Sequence, residues 1–436
     1  MIRQLLIVLT LSLISAATIA APKPWVIADP SFVARSGATA YFGEHAGSGY
    51  QIEIPDDWNG ELVLYAHGFA GTGPTLVVAP PPLRDHLLSQ GYAWAASSYS
   101  SNNYVPGVGA KDTHKLIGLF SGLVGNPSRV YLTGFSMGGH VIGLAIEQWP
   151  NSFDGALPMC GVMGDSELFD YFQDVYLTAE TLVGNIPAIP TPDDYLTNGL
   201  SSTVAALSGL PPFYPSSLSA TGETFKKVIE NLTGGKRPTF EESFSFGANG
   251  GSFILGLAST GNGRENLSTV YQFDDDPSLS NEEQEFNDMI VRVAAASQYR
   301  RKQGLGSNPG GKGNSDSPPI TGDISIPVIS MHTIGELFVP FHMEQIYARR
   351  VASRGNSDLL VQRGIRDVFH CGFTIGEQIQ AFDDLVDWVE SDTKPAGDDI
   401  LDPEVVADDD FGCQFTQPAF YRTGAIPGIP GMPACS

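Results

Sequence analysis

Apolar residues recur along the chain in short, nearly continuous runs of strand length. These strand-like runs are 61–68, 92–99, 129–134 and 154–160. A run without polar alternation is typical of a strand that is buried on both faces, as in a parallel sheet. The segments with helical character between them are 80–90, 111–124 and 137–149. This alternation predicts an α/β protein with βαβ units around a mostly parallel sheet.

The alternation stops in residues 165–320, which mix helix candidates with Gly, Ser and Pro. The clearest candidate is a helix predicted over about 281–302. Ser280, with Glu283 three positions later, is typical of a capping box at the start of that helix. The Gly/Ser/Pro-rich residues 304–319 are expected to be flexible and exposed.

Strand and helix alternate again nearer the C-terminus. The predicted elements there are a strand at 326–332, a helix near 341–352, a strand at 359–364 and a helix from about 377 to 390. The sheet is therefore predicted to be interrupted by a largely helical cap or lid. The predicted parts of the chain are a signal peptide at 1–21, the first half of the core at 22–164, the cap at 165–321, the second half of the core at 322–394, and an acidic, Pro/Gly-rich tail at 395–436.

The N-terminus predicts export. Arg3 precedes an apolar run over 5–14, and small residues lead to a cleavage point near Ala20 or Ala21. This is the layout of a secretory signal peptide. A membrane anchor is the alternative, but the run is shorter than the ~20 apolar residues that span a bilayer. We expect a secreted protein, extracellular or periplasmic, without a stable membrane anchor.

Charge narrows the range of partners. Of 436 residues 42% are hydrophobic, and 48 acidic residues against 24 basic ones give a formal net charge of −24. A general positive field is absent, so no nucleic-acid partner is expected. The acidic residues within 398–410 are expected to be solvated, and a cation site is the alternative.

The most informative segment is Gly134-x-Ser136-x-Gly138, which directly follows an apolar strand and directly precedes a helical stretch. In a nucleophile elbow the serine occupies a strained turn between strand and helix, and small residues two positions away let neighbouring backbone pack closely. The sequence therefore predicts Ser136 as a nucleophile. The alternative is a tight glycine-rich turn with an ordinary surface serine.

A second strand ends in His67-Gly68-Phe69. Acyl transfer places negative charge on a carbonyl oxygen, which needs preorganised backbone donors. We predict an oxyanion hole formed by the amides of Phe69 and of Met137, the residue after the nucleophile. His67 is expected to hold the loop in place and not to carry a proton.

A serine nucleophile needs a histidine base and a carboxylate that orients it. The histidines that cannot follow the serine and the acid in chain order are His45, His86, His114 and His140. His332, inside a strand, and His342, at a helix start, are interpreted as packing or capping residues. His370 lies in a loop between the last strand and the last helix, so it is the predicted base.

The predicted acid is Glu336, which follows the strand 326–332 and so belongs to the same edge of the sheet as Ser136 and His370. Asp165, after the strand that ends at Cys160, is the rival.

Four cysteines in an exported protein predict two disulfides, with three possible pairings. Cys413 and Cys435 lie in the same Pro/Gly-rich segment, so a local loop between them is the simplest pairing and leaves Cys160 with Cys371. The cysteines are too far apart in sequence for a zinc site, and no metal site is predicted.

Over about 60–164 and 322–392 these residues resemble the α/β-hydrolase superfamily. The matching pieces are His67-Gly68-Phe69, Gly134-Phe-Ser-Met-Gly138, the stretch His332-Thr-Ile-Gly-Glu-Leu-Phe-Val-Pro340, and His370 before the last helix. Within the superfamily the chain is similar to secreted carboxylesterases with a cap, a group with lipase-like, feruloyl-esterase-like and polyester-degrading members. Tannases and fungal feruloyl esterases tie a cysteine beside the nucleophile to one after the histidine. Here Phe135 precedes Ser136, so a tie from Cys371 would run to Cys160.

The resemblance implies ester hydrolysis by a Ser-His-Glu triad through an acyl-enzyme, with no cofactor. The expected substrate is a small-molecule or polymeric ester, apolar or aromatic, and Met137, Phe338 and Phe341 are candidates to line the acyl pocket. An amidase or peptidase would use the same triad. A non-catalytic hydrolase fold kept for binding is the alternative from another class.

Overall fold

A computed structural model describes residues 25–189, 194–208, 218–250, 265–294 and 317–435. The predicted signal peptide at 1–21 lies outside these residues, and so does most of the Gly/Ser/Pro-rich segment 304–319. Within the described ranges, no helix is long and apolar enough to cross a membrane.

The elements are numbered along the described residues. The strands are β1 Val26–Ile27, β2 Ala38–His45, β3 Ser48–Pro55, β4 Glu61–Ala66, β5 Thr75–Leu76, β6 Ala93–Ser97, β7 Arg129–Phe135, β8 Gly155–Met159, β9 Val328–Thr333 and β10 Leu360–Ile365. The helices are α1 Arg84–Ser89, α2 Pro106–Leu123, α3 Met137–Gln148, α4 Glu167–Leu182, α5 Leu200–Ser208, α6 Ala220–Leu232, α7 Phe240–Gly250, α8 Asn281–Met289, α9 His342–Ser353, α10 Ile375–Ser391 and α11 Pro403–Val406.

In this part of the chain eight strands form one sheet in the order β10-β9-β8-β7-β4-β6-β3-β2. The strands from β10 to β6 run parallel, β3 is antiparallel to its neighbours, and the short strands β1 and β5 pair separately. A mostly parallel sheet in this order, with a Gly-x-Ser-x-Gly turn after a central strand, is the α/β-hydrolase fold. The predicted fold class is confirmed.

Burial on both faces explains why the central strands have continuous apolar runs. All six residues of β4 are buried. Leu62 and Leu64 face a core shared with α2, α3 and α9, while Val63 and Tyr65 face a core shared with α1 and α10. Successive side chains of a strand point to opposite faces, so a strand covered by helices on both sides has no polar positions.

Helices α4 to α8 are inserted between β8 and β9, where the sequence predicts the cap. They share a separate apolar core with the segment that follows β9, including Leu337 and Val339. Tyr171 of α4 donates its hydroxyl to the carbonyl of Leu337 at 3.0 Å. Arg237 donates Nε to the carbonyl of Ile334 at 2.6 Å. The inserted helices thus hold the backbone on either side of Glu336.

Helix α8 is shorter than the sequence predicts. The capping box of Ser280 and Glu283 forms, but the helix ends at Met289 and Ile290 is extended. The chain then pairs with a distant segment, because the Val293 amide donates to the Asn266 side chain at 2.6 Å. These tertiary hydrogen bonds replace the continuing helix, so the prediction of a helix through residue 294 is wrong. Residues 295–302 lie outside the described ranges.

The antiparallel hairpin of β2 and β3 was not predicted, because one face of β2 is open to water and its apolar signal is correspondingly weak. The prediction that the acidic residues of 395–436 are solvated holds for most of them. Asp398 is the exception, because it is partly buried and accepts the Gly364 amide at 2.7 Å. The exposed carboxylates are those of Asp399, Asp402, Asp408, Asp409 and Asp410. The buried apolar residues of the same segment are Ile400, Val406, Phe411 and Phe415. These residues make the segment part of the core.

Candidate active site

The predicted residues come together at the carboxyl ends of four neighbouring parallel strands. Ser136 follows β7, Cys160 follows β8, Glu336 lies beyond β9 and His370 lies beyond β10. In α/β sheets this edge is where ligands bind, because the loops that leave the strands converge there.

Ser136 occupies a turn with left-handed backbone dihedrals, φ 58° and ψ −121°. A β-carbon at Gly134 or at Gly138 would overlap the carbonyl oxygen of Ala66, so only glycine allows the turn to pack against β4. A strained serine between a buried strand and a helix start is the geometry of a nucleophile elbow. Ser136 is half-buried, which leaves part of its surface accessible.

The loop after β4 lies directly against this turn. A β-carbon at Gly68 would lie 3.2 Å from Ser136 Cβ. The Phe69 amide makes no hydrogen bond to a described backbone carbonyl. Met137 is the first residue of α3, where helical amides have no partner within the helix. Among the described residues, the amides of Phe69 and Met137 thus make no hydrogen bond to a backbone carbonyl, so both are available as the proposed oxyanion donors.

His67 holds this loop, as the sequence predicts. Its ring stacks on Tyr99 at 3.9 Å between centroids, and Nδ1 lies 2.7 Å from the carbonyl oxygen of Gly68. Burial lowers the pKa of His67, which keeps the ring neutral.

His370 and Glu336 are in direct contact. His370 Nδ1 lies 2.5 Å from Glu336 Oε2. Donation from Nδ1 to the carboxylate leaves the lone pair on Nε2, which is the atom a general base uses. That Nε2 is buried and makes no hydrogen bond to a described residue, so its bond to the serine is not formed in this arrangement. Such bonds frequently tighten only when substrate binds.

Glu336 is only 1% exposed. Its Oε2 also accepts from the Val339 amide at 3.1 Å, and Oε1 accepts from the Thr333 hydroxyl at 3.3 Å. Burial alone would raise the pKa of Glu336, but the imidazoles of His370 and His332 hold the pKa below its usual value. The carboxylate is therefore ionised and fixed in orientation.

Asp165, the rival acid, is engaged elsewhere. Its carboxylate pairs with Arg350 at 2.6 Å and accepts the Ile320 amide at 2.9 Å. These contacts join the start of the insertion to its end, which makes Asp165 a structural anchor.

Both disulfides suggested by the sequence are present, Cys160–Cys371 and Cys413–Cys435. The first one links the serine turn to the histidine loop. The Ser136 amide donates to the carbonyl of Met159 at 3.1 Å. The next residue is Cys160, and its disulfide partner Cys371 directly follows His370.

Among the residues that the structure describes, Cys160, His370 and Cys371 are close enough to share a metal ion. Because both sulfurs are bonded to each other, they offer no thiolate and this cluster is not a metal site.

Of the three proposed pocket residues, one lies at the site. The ring of Phe338 packs edge-on against the His370 ring, with 5.1 Å between the ring centroids. The ring of Phe172, a residue of α4, lies 5.9 Å from that of Phe338, again between centroids. Met137 and Phe341 are each 1% exposed and pack into the interior, so their side chains are core residues. The sequence could not separate these roles, since all three are apolar residues near the reacting groups.

A further partner of Glu336 was missed from the sequence. His332 Nε2 lies 3.2 Å from Glu336 Oε1, although the sequence suggested only a packing or capping role for it. The four-residue spacing of His332 and Glu336 was the available signal. It was weak, because the two residues are separated by the end of a strand.

No protein-family model matches the chain. Among curated proteins, the chain is 20% identical over 405 residues to an o-phthalyl amidase of Xanthobacter agilis, covering 80% of this chain and 87% of that protein. Among solved structures, feruloyl esterase B from Aspergillus oryzae is 13% identical with a TM-score of 0.49, covering 84% of each chain. Tannin acyl hydrolase from Aspergillus niger is 14% identical with a TM-score of 0.46, covering 82% of this chain and 78% of that one.

Proposed function

We propose that the chain is a serine hydrolase that cleaves carboxylic ester bonds through an acyl-enzyme. The single observation that carries the proposal is the left-handed turn at Ser136, at the same sheet edge as the buried His370–Glu336 pair. A serine, a histidine with its basic nitrogen free, and a carboxylate that orients the ring are the parts that nucleophilic acyl transfer requires.

The proposed reaction has two steps. His370 Nε2 takes the proton of Ser136 Oγ as the oxygen attacks the ester carbonyl carbon, and the amides of Phe69 and Met137 donate to the oxyanion. The C–O bond to the alcohol then breaks, and His370 delivers the proton to the departing alcohol. In the second step His370 deprotonates a water molecule, which attacks the acyl-enzyme and releases the acid and Ser136.

The substrate is proposed to be an apolar or aromatic ester, small or polymeric. Phe338 beside His370, and Phe172 beside Phe338, provide aromatic surface next to the reacting groups. Since Phe172 belongs to α4, the inserted helices are proposed to act as a cap that takes part in substrate choice.

Amide hydrolysis is the second candidate. The curated relative is named an o-phthalyl amidase, and the same triad serves both bonds. Amide hydrolysis depends more strongly on proton donation by His370, because the amine must be protonated as it leaves.

We propose that the protein is exported, with residues 1–21 as a cleaved signal peptide. Two disulfides support this proposal, since such bonds persist mainly in oxidising compartments.

Hydrolysis of p-nitrophenyl esters from acetyl to palmitoyl tests the proposal, with Ser136→Ala beside the wild type. We expect the variant to lose turnover by several orders of magnitude, as nucleophile replacements do. The chain-length optimum distinguishes an esterase from a lipase. Amide hydrolysis is measured in the same way, with the p-nitroanilide of the preferred acyl group and with an o-phthalyl amide as substrates. Equal rates for both proteins on esters and amides would leave the binding module as the remaining interpretation.

A further inference from the structure

His332 is enclosed between two carboxylates. Its Nε2 lies 2.7 Å from the carbonyl oxygen of Val339 and 3.2 Å from Glu336 Oε1. Its Nδ1 lies 3.2 Å from Oε1 of Glu344, a residue of α9. The side chains of His332 and Glu336 are each 1% exposed, and that of Glu344 is 2% exposed. The contacts therefore form away from water.

These partners determine the protonation of the ring. A carbonyl oxygen and carboxylate oxygens only accept hydrogen bonds, and they face both ring nitrogens. A neutral imidazole has one N–H, so one nitrogen would direct its lone pair at an acceptor. Only the imidazolium, with two N–H groups, satisfies all of these contacts. The pKa of His332 agrees, because the two carboxylates outweigh burial and raise it to about 10.

Glu344 is bound as an anion would be. Its Oε1 accepts from the Ser330 hydroxyl at 2.9 Å, and Oε2 accepts from the Gln362 amide nitrogen at 2.7 Å. With His332 as a third partner, the Glu344 side chain accepts from three donors.

Three more ionisable groups act on this cluster. Tyr171 lies near Glu336 and Tyr347 near Glu344, and burial raises the pKa of both hydroxyls. The third is His342, whose pKa burial, Arg237 and His332 lower to about 3. His342 is therefore neutral.

The charges then balance during the proposed reaction. Before His370 takes the serine proton, the cluster contains the carboxylates of Glu336 and Glu344 and the imidazolium of His332. When His370 takes the serine proton, the cluster holds two anions and two cations, and the compensating negative charge lies on the oxyanion that receives the amides of Phe69 and Met137. Without a cation at His332, the buried Glu336 would lose one of the two imidazoles that lower its pKa, and burial would favour its protonation.

We propose that His332, held as an imidazolium by Glu344, is a positioning residue that keeps Glu336 ionised and aimed at His370. The inference rests on the proposed function, since it assigns His332 and Glu344 a part in that reaction. It identifies a line of contacts, Glu344 to His332 to Glu336 to His370, that runs from α9 to the proposed base.

The first experiment measures the protonation of His332 directly. Nitrogen-15 NMR of histidine-labelled protein, with His332 assigned by its loss in His332→Gln, reports whether both ring nitrogens carry protons. We expect two protonated nitrogens at pH 7 and up to about pH 9. A neutral His332 at pH 7 would overturn the inference whether or not the protein hydrolyses esters.

The second experiment separates positioning from folding. We expect Glu344→Gln to lower kcat by about 10- to 100-fold with KM changed less than about twofold, because Glu336 loses its orientation while the substrate surface is intact. Glu344→Asp keeps the charge and should recover part of kcat. The matched control is Glu147→Gln, which removes a half-buried carboxylate that accepts from the amides of Thr321 and Gly322. It should keep wild-type kcat.

Unchanged kcat in Glu344→Gln would contradict the proposal, and so would a loss of kcat that only follows a loss of folded protein by circular dichroism. No turnover by the wild type on any ester or amide would remove the proposed function and the positioning role with it. Wild-type turnover with a neutral His332 would overturn the positioning role alone.

Discussion

His332 and His342 are buried histidines ten positions apart, yet their neighbours make the first a cation and keep the second neutral. Two carboxylates raise the pKa of His332 to about 10, whereas burial and the nearby cations Arg237 and His332 lower the pKa of His342 to about 3. Burial disfavours the charged form of both, so the difference arises from the partners. The same balance keeps Glu336 ionised at a position that is almost closed to water.

The charge of Glu336 leads to a prediction for Glu336→Gln. The amide keeps the size of the side chain but no longer stabilises the imidazolium of His370, so kcat should fall by about 10³- to 10⁴-fold. Because the pKa of Glu336 is held below its usual value, the carboxylate is expected to stay ionised over the whole pH range of the assay. Steady-state kinetics from pH 5 to pH 9 check this, with Glu336→Asp as the charge-preserving control. Equal rates for Glu336→Gln and wild type would exclude Glu336 as the triad acid.

At the scale of elements, α4 combines an apolar face with two buried carboxylates one turn apart. Asp174 accepts from the Tyr271 hydroxyl at 2.7 Å and the Thr269 hydroxyl at 3.0 Å, and Asp170 accepts the Glu265 amide at 2.8 Å. Burial raises the pKa of Asp174 to about 7 and that of Asp170 to about 8. These hydrogen bonds join α4 to the segment before α8, so the ionisation of the two groups affects how the inserted helices pack.

A carboxyl group with a raised pKa binds its proton more tightly in the folded protein than in the unfolded one. Between about pH 4 and pH 8 the folded state therefore holds more of these protons, and the free energy of unfolding falls as pH rises through that window. We predict that Asp174→Asn reduces the drop in Tm between pH 5 and pH 8 by a few degrees, measured by calorimetry. Asp275→Asn, at an exposed carboxylate, should keep the wild-type profile. The same profile in Asp174→Asn would mean that this group does not titrate in the window.

At the scale of the whole molecule, the C-terminal segment clamps the histidine loop. Arg422 donates to Asp367 Oδ2 at 2.7 Å, to Glu377 Oε1 at 2.5 Å and to the carbonyl of Gly372 at 2.6 Å. The first and last of these partners flank His370 in the loop, and Glu377 belongs to the first turn of α10. The Cys413–Cys435 disulfide encloses the segment that carries Arg422.

We predict that Arg422→Met lowers the free energy of unfolding by about 3–5 kcal/mol, because two buried carboxylates lose their cation. The activity of the protein that remains folded should also fall, since the His370 loop is no longer held. Urea unfolding and active-site titration of the folded fraction check the two effects. Arg354→Met, at an exposed arginine, is the control and should change neither quantity. Wild-type stability in Arg422→Met would show that the clamp is not needed for the fold.

The local order of residues was sufficient to predict the α/β class, the strands around Ser136 and the serine turn itself. Continuous apolar runs report burial on both faces of a strand, and Gly134 and Gly138 mark a turn that only glycine can make against Ala66. The spacing of residues along the chain carries this information. No knowledge of distant contacts is needed to interpret it.

The tertiary structure determines the features of the site that depend on contacts between residues far apart in sequence. Glu336 contacts His370 while Asp165 is bound to Arg350, and both are acids that follow a strand of the same sheet. The charge of His332 depends on Glu344, which lies on a different element, and α8 ends where distant hydrogen bonds replace the helix. The energies of such contacts depend on distance and burial in three dimensions, which the residue pattern alone does not contain.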